Sequence, residues 1–223
     1  MGYGSRKEVK ELIRKGYVSI NGDIIKNDDY KVDELNDEII IFDNNIKYDE
    51  YIYLMLNKPQ GVVSATTDYN NSTVLDLIDG YEKRNLFPIG RLDIDTEGLL
   101  ILTNDGELSH RLLSPKNHVS KTYYLEYEGK LNKNYEKMLE EGLLISEGYR
   151  CLPAKLNLLG DNKAEIIITE GKFHQVKRMI EALGGNVTYL KRIKFKNLEL
   201  DSNLKLGEYR KLTKEEIDKL REE

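Results

Sequence analysis

Tryptophan is absent from the 223 residues, cysteine occurs once, proline four times and histidine three times. The lone Cys151 excludes an internal disulfide framework and fits a reducing compartment. His110, His118 and His174 show no zinc-ligand spacing and have no cysteine pair beside them, so no metal is expected. No apolar run approaches the ~18 residues of a membrane span and no secretory leader is visible. The expectation is therefore a cytoplasmic protein with no membrane partner. Internal repeats and low-complexity tracts are missing as well.

What is present is a chain with 33% charged and 39% apolar residues, long enough for a sizeable core and one or two domains. A net charge of -5 argues against binding nucleic acid over the whole surface, but it hides two basic windows. Between Arg6 and Lys15 five cations face two acids. From Lys172 to Lys196 there are seven cations and one acid, Glu181. These windows are the candidate surfaces for an anionic ligand.

The most informative stretch runs from Gly90 to Gly106 (GRLDIDTEGLLILTNDG). Arg91, Asp93, Asp95, Thr96 and Glu97 crowd its first half. The apolar run Leu99 to Leu102 follows, and Asn104-Asp105-Gly106 stops it. A short apolar run bounded by turn residues predicts a buried strand. An acidic loop feeding such a strand fixes a carboxylate on a rigid frame, as catalysis requires. On residues alone two readings stay open. The acids are turn formers at a strand entrance, or they form a phosphatase-type Asp-x-Asp-x-Thr nucleophile loop that would depend on magnesium. The second needs threonine where Glu97 stands, and a strand before the acids instead of after them.

Elsewhere, Ser5 and Glu8 form a capping box for a helix with Val9, Leu12 and Ile13 on one face, ending at Gly16. Asn21-Gly22 predicts a tight hairpin between residues 18–20 and 23–25. Residues 31–42 supply further strand, and 43–50 read as a polar linker. Residues 51–56 predict a strand stopped by a turn over 57–61, with another strand starting over 62–65. Helices are expected over 107–114, 132–142 and 176–183, strands over 121–127 and 164–169 and through Leu198. A last helix is capped by Thr213 and Glu216.

The segment SRKEVKELIRKGYVSINGDIIKNDDYKV resembles the S4 RNA-binding domain, which implies that Arg6, Lys7, Lys10 and Arg14 meet RNA phosphates. That domain usually opens with a further helix, before the turn matched here by Gly2-Tyr3-Gly4. The chain starts part-way into the pattern, so a thinner and less stable small core is expected. YLMLNKPQGVV, GRLDIDTEGLLILTNDGEL, SKTYYLEY and EGKFHQVKRMIEALGGNVTYLKR follow in order over nearly the whole chain. Together they resemble the RsuA/RluB/E/F family of ribosomal RNA pseudouridine synthases. YLMLNKPQGVV and GRLDIDT look closest to its small-subunit branch, which acts on uridine 516 of 16S rRNA. The branches that act on 23S rRNA stay open.

The resemblance implies an α+β fold, with an S4-like RNA-binding domain over 1–47 and a mixed, largely antiparallel catalytic domain over 48–223. It implies isomerisation of a uridine without a cofactor, since no redox change occurs. Asp93 matches the essential carboxylate, whether as nucleophile at C1′ or C6 or as the base at the 2′ carbon. Lys177 matches the basic partner, commonly arginine, that keeps a buried carboxylate ionised. Tyr123 matches the active-site tyrosine, placed to stack on the base or to reach C5. Arg91 fills the gap left by the extruded uridine or binds its flanking phosphate. Tyr53, Lys58, His174, Gln175, Arg178 and Arg192 are expected along the RNA path. Residue type alone fits blander roles equally: a solvated helix lysine, one core tyrosine among fifteen, a solvated loop arginine, a structural histidine. The expected partner is ribosomal RNA or the assembling small subunit, bound by a monomer. The rival from another class is a ribosome-assembly factor that binds RNA without chemistry.

Overall fold

The computed structural model describes residues 3–33, 36–46, 49–81 and 84–222. The chain divides into two compact units, Met1–Tyr51 with Gly80–Asn85, and Ile52–Asp79 with Leu86–Glu223.

In the first unit, helix α1 (Arg6–Arg14) begins at the Ser5–Glu8 capping box, with both reciprocal bonds made. Strands β1 (Val18–Ile20), β2 (Asp23–Ile24), β3 (Ile39–Ile41) and β4 (Asn44–Ile46) form an antiparallel sheet in the order β2-β1-β3-β4. The β1–β2 turn is Asn21-Gly22 with φ of 51° and 90°, the left-handed pair a two-residue hairpin demands. Val18, Ile41 and Ile46 form the buried core, and Leu12, Ile13 and Ile39 pack on it half-buried. No residue of α1 is fully buried. The expected linker over 43–50 is corrected in part. Phe42 and Asp43 make a second left-handed turn, and Asn44–Ile46 returns as a strand. Of the short strand material expected within 31–42, the described residues form the strand Ile39–Ile41. Gly2 of the expected turn and the 47/48 domain boundary lie outside the described residues.

The second unit contains β5 (Tyr53–Lys58), β6 (Phe87–Pro88), β7 (Glu97–Thr103), α2 (Gly106–Leu113), β8 (Lys121–Gly129) and α3 (Tyr135–Glu140). It continues with β9 (Leu144–Ile145), β10 (Tyr149–Arg150), β11 (Lys155–Gly160), β12 (Lys163–Ile168) and α4 (Gln175–Ala182). The closing elements are β13 (Gly185–Phe195), β14 (Leu198–Glu199), β15 (Tyr209–Lys211) and α5 (Lys214–Arg221). The main sheet runs β11-β12-β8-β13-β7-β5-β15. All its neighbours are antiparallel except β13 and β7, which run parallel. Every residue of β5 and β7 is buried, which is why Tyr53–Leu56 and Leu99–Leu102 within them read as continuous apolar runs instead of alternating ones. Each fully buried leucine there contributes ~1.5–3 kcal/mol. The β5 strand extends through Asn57 and Lys58, past the expected turn. Residues 62–65 make only a single bridge, Val63 to Thr73, in place of the expected strand. Among the described residues no helix is long and apolar enough to cross a membrane.

The β13–β7 junction positions the site. Gly98 pairs with Arg192 there at φ +104°, and a Cβ on it would lie 2.2 Å from the Arg192 carbonyl oxygen. Only glycine allows this approach. The acidic loop enters β7 at that closed seam.

Candidate active site

A cleft of about 1290 Å³ opens at the start of β7, lined among others by Arg91, Asp93, Lys121, Tyr123 and His174. The loop carrying Asp93 is pinned from below. Ser64 Oγ donates to Leu92 O at 2.9 Å and accepts from Leu92 N at 3.0 Å. Gly61 N donates to Ile94 O at 2.8 Å. Lys58 Nζ donates to the carbonyls of Asp93 at 3.0 Å, Thr96 at 2.9 Å and Pro59 at 3.0 Å. Lys58 is 0% exposed, so its expected place on the RNA path is corrected: it staples the Asp93 loop from inside. Burial pushes its ammonium down to about 8, against the pull of Asp93, Asp95 and Glu97.

The three acids of the loop have different partners. Glu97 accepts from Tyr189 Oη at 2.6 Å. Asp95 accepts from Lys177 Nζ at 2.6 and 2.7 Å. Its partial burial alone would raise its pKa, but the Lys177 hydrogen bond and charge hold the carboxyl below the usual range. Asp93 has only longer contacts, Lys177 Nζ at 3.6 Å and His174 Nε2 at 3.9 Å, and its side chain is 29% exposed. Of the three, Asp93 alone lines the cleft with no side-chain hydrogen bond among the described residues. A carboxylate beside a cation, open to a cleft and free of tight partners, can accept a proton or form a bond to carbon.

Tyr123 enters from β8, opposite Arg192 of β13 and Ile166 of β12, with its ring on the cleft wall. Lys177 reaches the loop from α4. Arg91 is exposed at the rim.

Several residues expected along the RNA path also have partners within the fold, and of these Gln175 and Arg192 line the cleft. Arg192 is 2% exposed, donates from Nε to Leu99 O at 2.7 Å and lies over the Phe195 ring, so it fastens β13 to β7. Gln175 is buried, accepting from Lys172 N at 2.8 Å and donating to Glu170 at 2.9 Å. Arg178 turns to Ser146 and to the Phe173 carbonyl. Tyr53 is buried, donates to Asp105 at 2.6 Å and accepts from Arg221 at 2.8 Å, tying α5 to the core. His174 stays in the cleft beside Asp93. On the first unit Arg6, Lys7, Lys10 and Arg14 are all exposed, but Lys10 and Arg14 share Asp28 at 3.0 and 3.1 Å.

Two residues of this site escaped the sequence. Lys121 sits half-buried in the cleft, donating to Val119 O at 2.9 Å, and burial next to Arg192 pushes its ammonium down to about 8. The Lys-x-Tyr spacing was its signal. Phe173 had none: it is exposed and stacks on His174. Among the described residues no group of three His, Cys, Asp or Glu could hold a metal ion.

The profile described as RNA pseudouridylate synthase matches residues 52–182, and that of the S4 domain matches residues 1–39. The chain is 48% identical to the RNA pseudouridine synthase YtzG of Bacillus subtilis, over 99% of this chain and 95% of that protein. It is 41% identical to the Haemophilus influenzae protein named ribosomal small subunit pseudouridine synthase A, over 97% and 94%. A crystal structure of a pseudouridylate synthase superposes with a TM-score of 0.72 at 41% identity, covering 97% of this chain and 94% of that one.

Proposed function

The chain belongs to the RNA pseudouridylate synthase family and is an RNA pseudouridine synthase with an S4 domain, and we propose that it modifies uridine 516 of 16S rRNA. The observation that carries the target is the near full-length similarity to the protein named ribosomal small subunit pseudouridine synthase A. The substrate in this reading is ribosomal RNA or the assembling small subunit, and the protein works as a cytoplasmic monomer. Family membership disposes of the phosphatase and of the binder without chemistry.

The reaction breaks the N1–C1′ bond, turns the uracil, joins C5 to C1′ and moves the C5 proton to solvent while N1 gains one. No electrons are gained or lost, so no cofactor is called for. The proposed roles follow from charge and reach. Asp93 is the essential carboxylate, with the Lys177 ammonium 3.6 Å away. Tyr123, on the wall of the same cleft, stacks on the turning base and offers its hydroxyl near C5. Arg91 binds a phosphate or fills the space the uridine leaves, because the base must first come out of its stack at a cost of a few kcal/mol. Arg6 and Lys7 on the S4 domain add sequence-independent affinity through phosphates.

Pseudouridine mapping of ribosomal RNA from a strain without this gene tests the target. The expected result is loss of the 16S pseudouridine alone; loss of a 23S site instead would overturn the assignment.

A further inference from the structure

Phe173 is 72% exposed at the cleft, so it forgoes the burial that normally places a phenylalanine. Its ring lies flat on the His174 imidazole, with centroids 3.8 Å apart and planes at 18°. His174 in turn stands 3.9 Å from Asp93. The stack therefore runs from solvent to the reacting carboxylate.

The backbone that holds it out is strained and braced. His174 takes a left-handed conformation at φ 48° and ψ 31°, which costs a non-glycine residue energy. Lys172 N donates to Gln175 Oε1 at 2.8 Å, Gln175 N to Lys172 O at 3.1 Å, and Arg178 Nη1 to Phe173 O at 3.3 Å. These bonds fix a bend that turns one aromatic ring away from the core. The surroundings are cationic: Lys172, Lys177 and Arg178 lie within five residues of the ring along the chain, and Arg91 is at the cleft rim. A ring with one face backed and the other free, next to an RNA-modifying site, suits the flat face of a base.

We infer that Phe173, backed by His174, is the stacking platform for the base that adjoins the target uridine in the RNA. This rests on the family's RNA chemistry but not on which uridine is modified. Phe173 is a positioning residue: it holds the flanking nucleotide so that the extruded uridine hangs over Asp93.

The test uses the full chain and a 16S rRNA fragment containing the target, with 2-aminopurine replacing each base beside it in turn. Phe173→Ala is expected to raise KM about 10- to 100-fold, the equivalent of losing one base–aromatic stack. kcat is expected to stay near wild type, and Phe173→Tyr to restore KM. 2-Aminopurine at one flanking position is expected to be quenched on binding the wild type and not Phe173→Ala. An unchanged KM overturns the inference, as would happen if the ring served a protein partner. So does a kcat loss that tyrosine does not rescue, which would mark a purely structural role. The quenching needs no turnover. If the wild type binds the fragment but leaves its uridine unmodified, the proposed target fails, and the platform then stands or falls on the same fluorescence with a fragment holding the uridine that rRNA mapping identifies.

Discussion

Lys177 grips Asp95 by both carboxylate oxygens, at 2.6 and 2.7 Å, while its ammonium also lies 3.6 Å from Asp93. One cation therefore serves two acids. The closer one is 60% exposed in its side chain, and the farther one faces the cleft. Asp95 acts as a holder: it keeps the lysine at the loop and leaves Asp93 facing the cleft.

Asp95→Asn removes the holder and leaves the lysine to Asp93. Tritium release from C5-labelled RNA is expected to stay within about tenfold of wild type, since the surface pair itself is worth at most ~1 kcal/mol. Lys177→Met is expected to lower kcat about 100-fold, the scale of losing one charge-stabilising donor.

Lys58 ties activity to pH. Its ammonium titrates near 8 in the folded protein against 10.5 for an ordinary lysine. Between those values the unfolded chain holds the extra proton, so this residue makes folding more favourable as pH rises. The Asp93 loop responds the other way, because the ammonium that binds its carbonyls becomes a weaker amine donor. kcat/KM is expected to fall above pH about 8 without a matching fall in Tm. Lys58→Met leaves the loop carbonyls without this donor and is expected to cost about 3 kcal/mol in chemical denaturation.

Gly98→Ala tests the seam between β13 and β7. The added Cβ meets backbone at 2.2 Å and the residue sits at φ +104°. A loss of about 3 kcal/mol or more is expected, with kcat falling as the loop loses its anchor.

The S4 domain offers a gain-of-affinity test. Asp28 holds Lys10 and Arg14 together. Asp28→Asn frees both for phosphates and is expected to tighten RNA binding up to about fivefold at low salt, with a steeper salt dependence. Arg6→Ala with Lys7→Ala is expected to weaken it and flatten that dependence. Filter binding at several salt concentrations reads both.

Local signals in the chain were legible because their partners are neighbours. The Ser5–Glu8 box, the Asn21-Gly22 turn and the Leu99–Leu102 core run all formed where composition placed them. The Asp93–Lys177 pairing, 84 residues apart, was legible only through the family motifs. What could not be read was which cations turn inward. Lys58 lies two residues past the apolar run of its strand, and its buried partners lie 35 and 38 residues away. Arg192 looks like part of a basic window, yet it bonds Leu99 O across 93 residues. Charge in a sequence carries no sign of burial until the sheet order is known. Phe173 is the converse case: an apolar residue held outward by a bend that no propensity announces.

Single-turnover tritium release by Asp93→Asn, beside wild type and Asp95→Asn on the same RNA, is the most direct measurement of all. No release above background is expected from Asp93→Asn, while Asp95→Asn turns over. Release by Asp93→Asn at the wild-type rate would remove Asp93 from the chemistry.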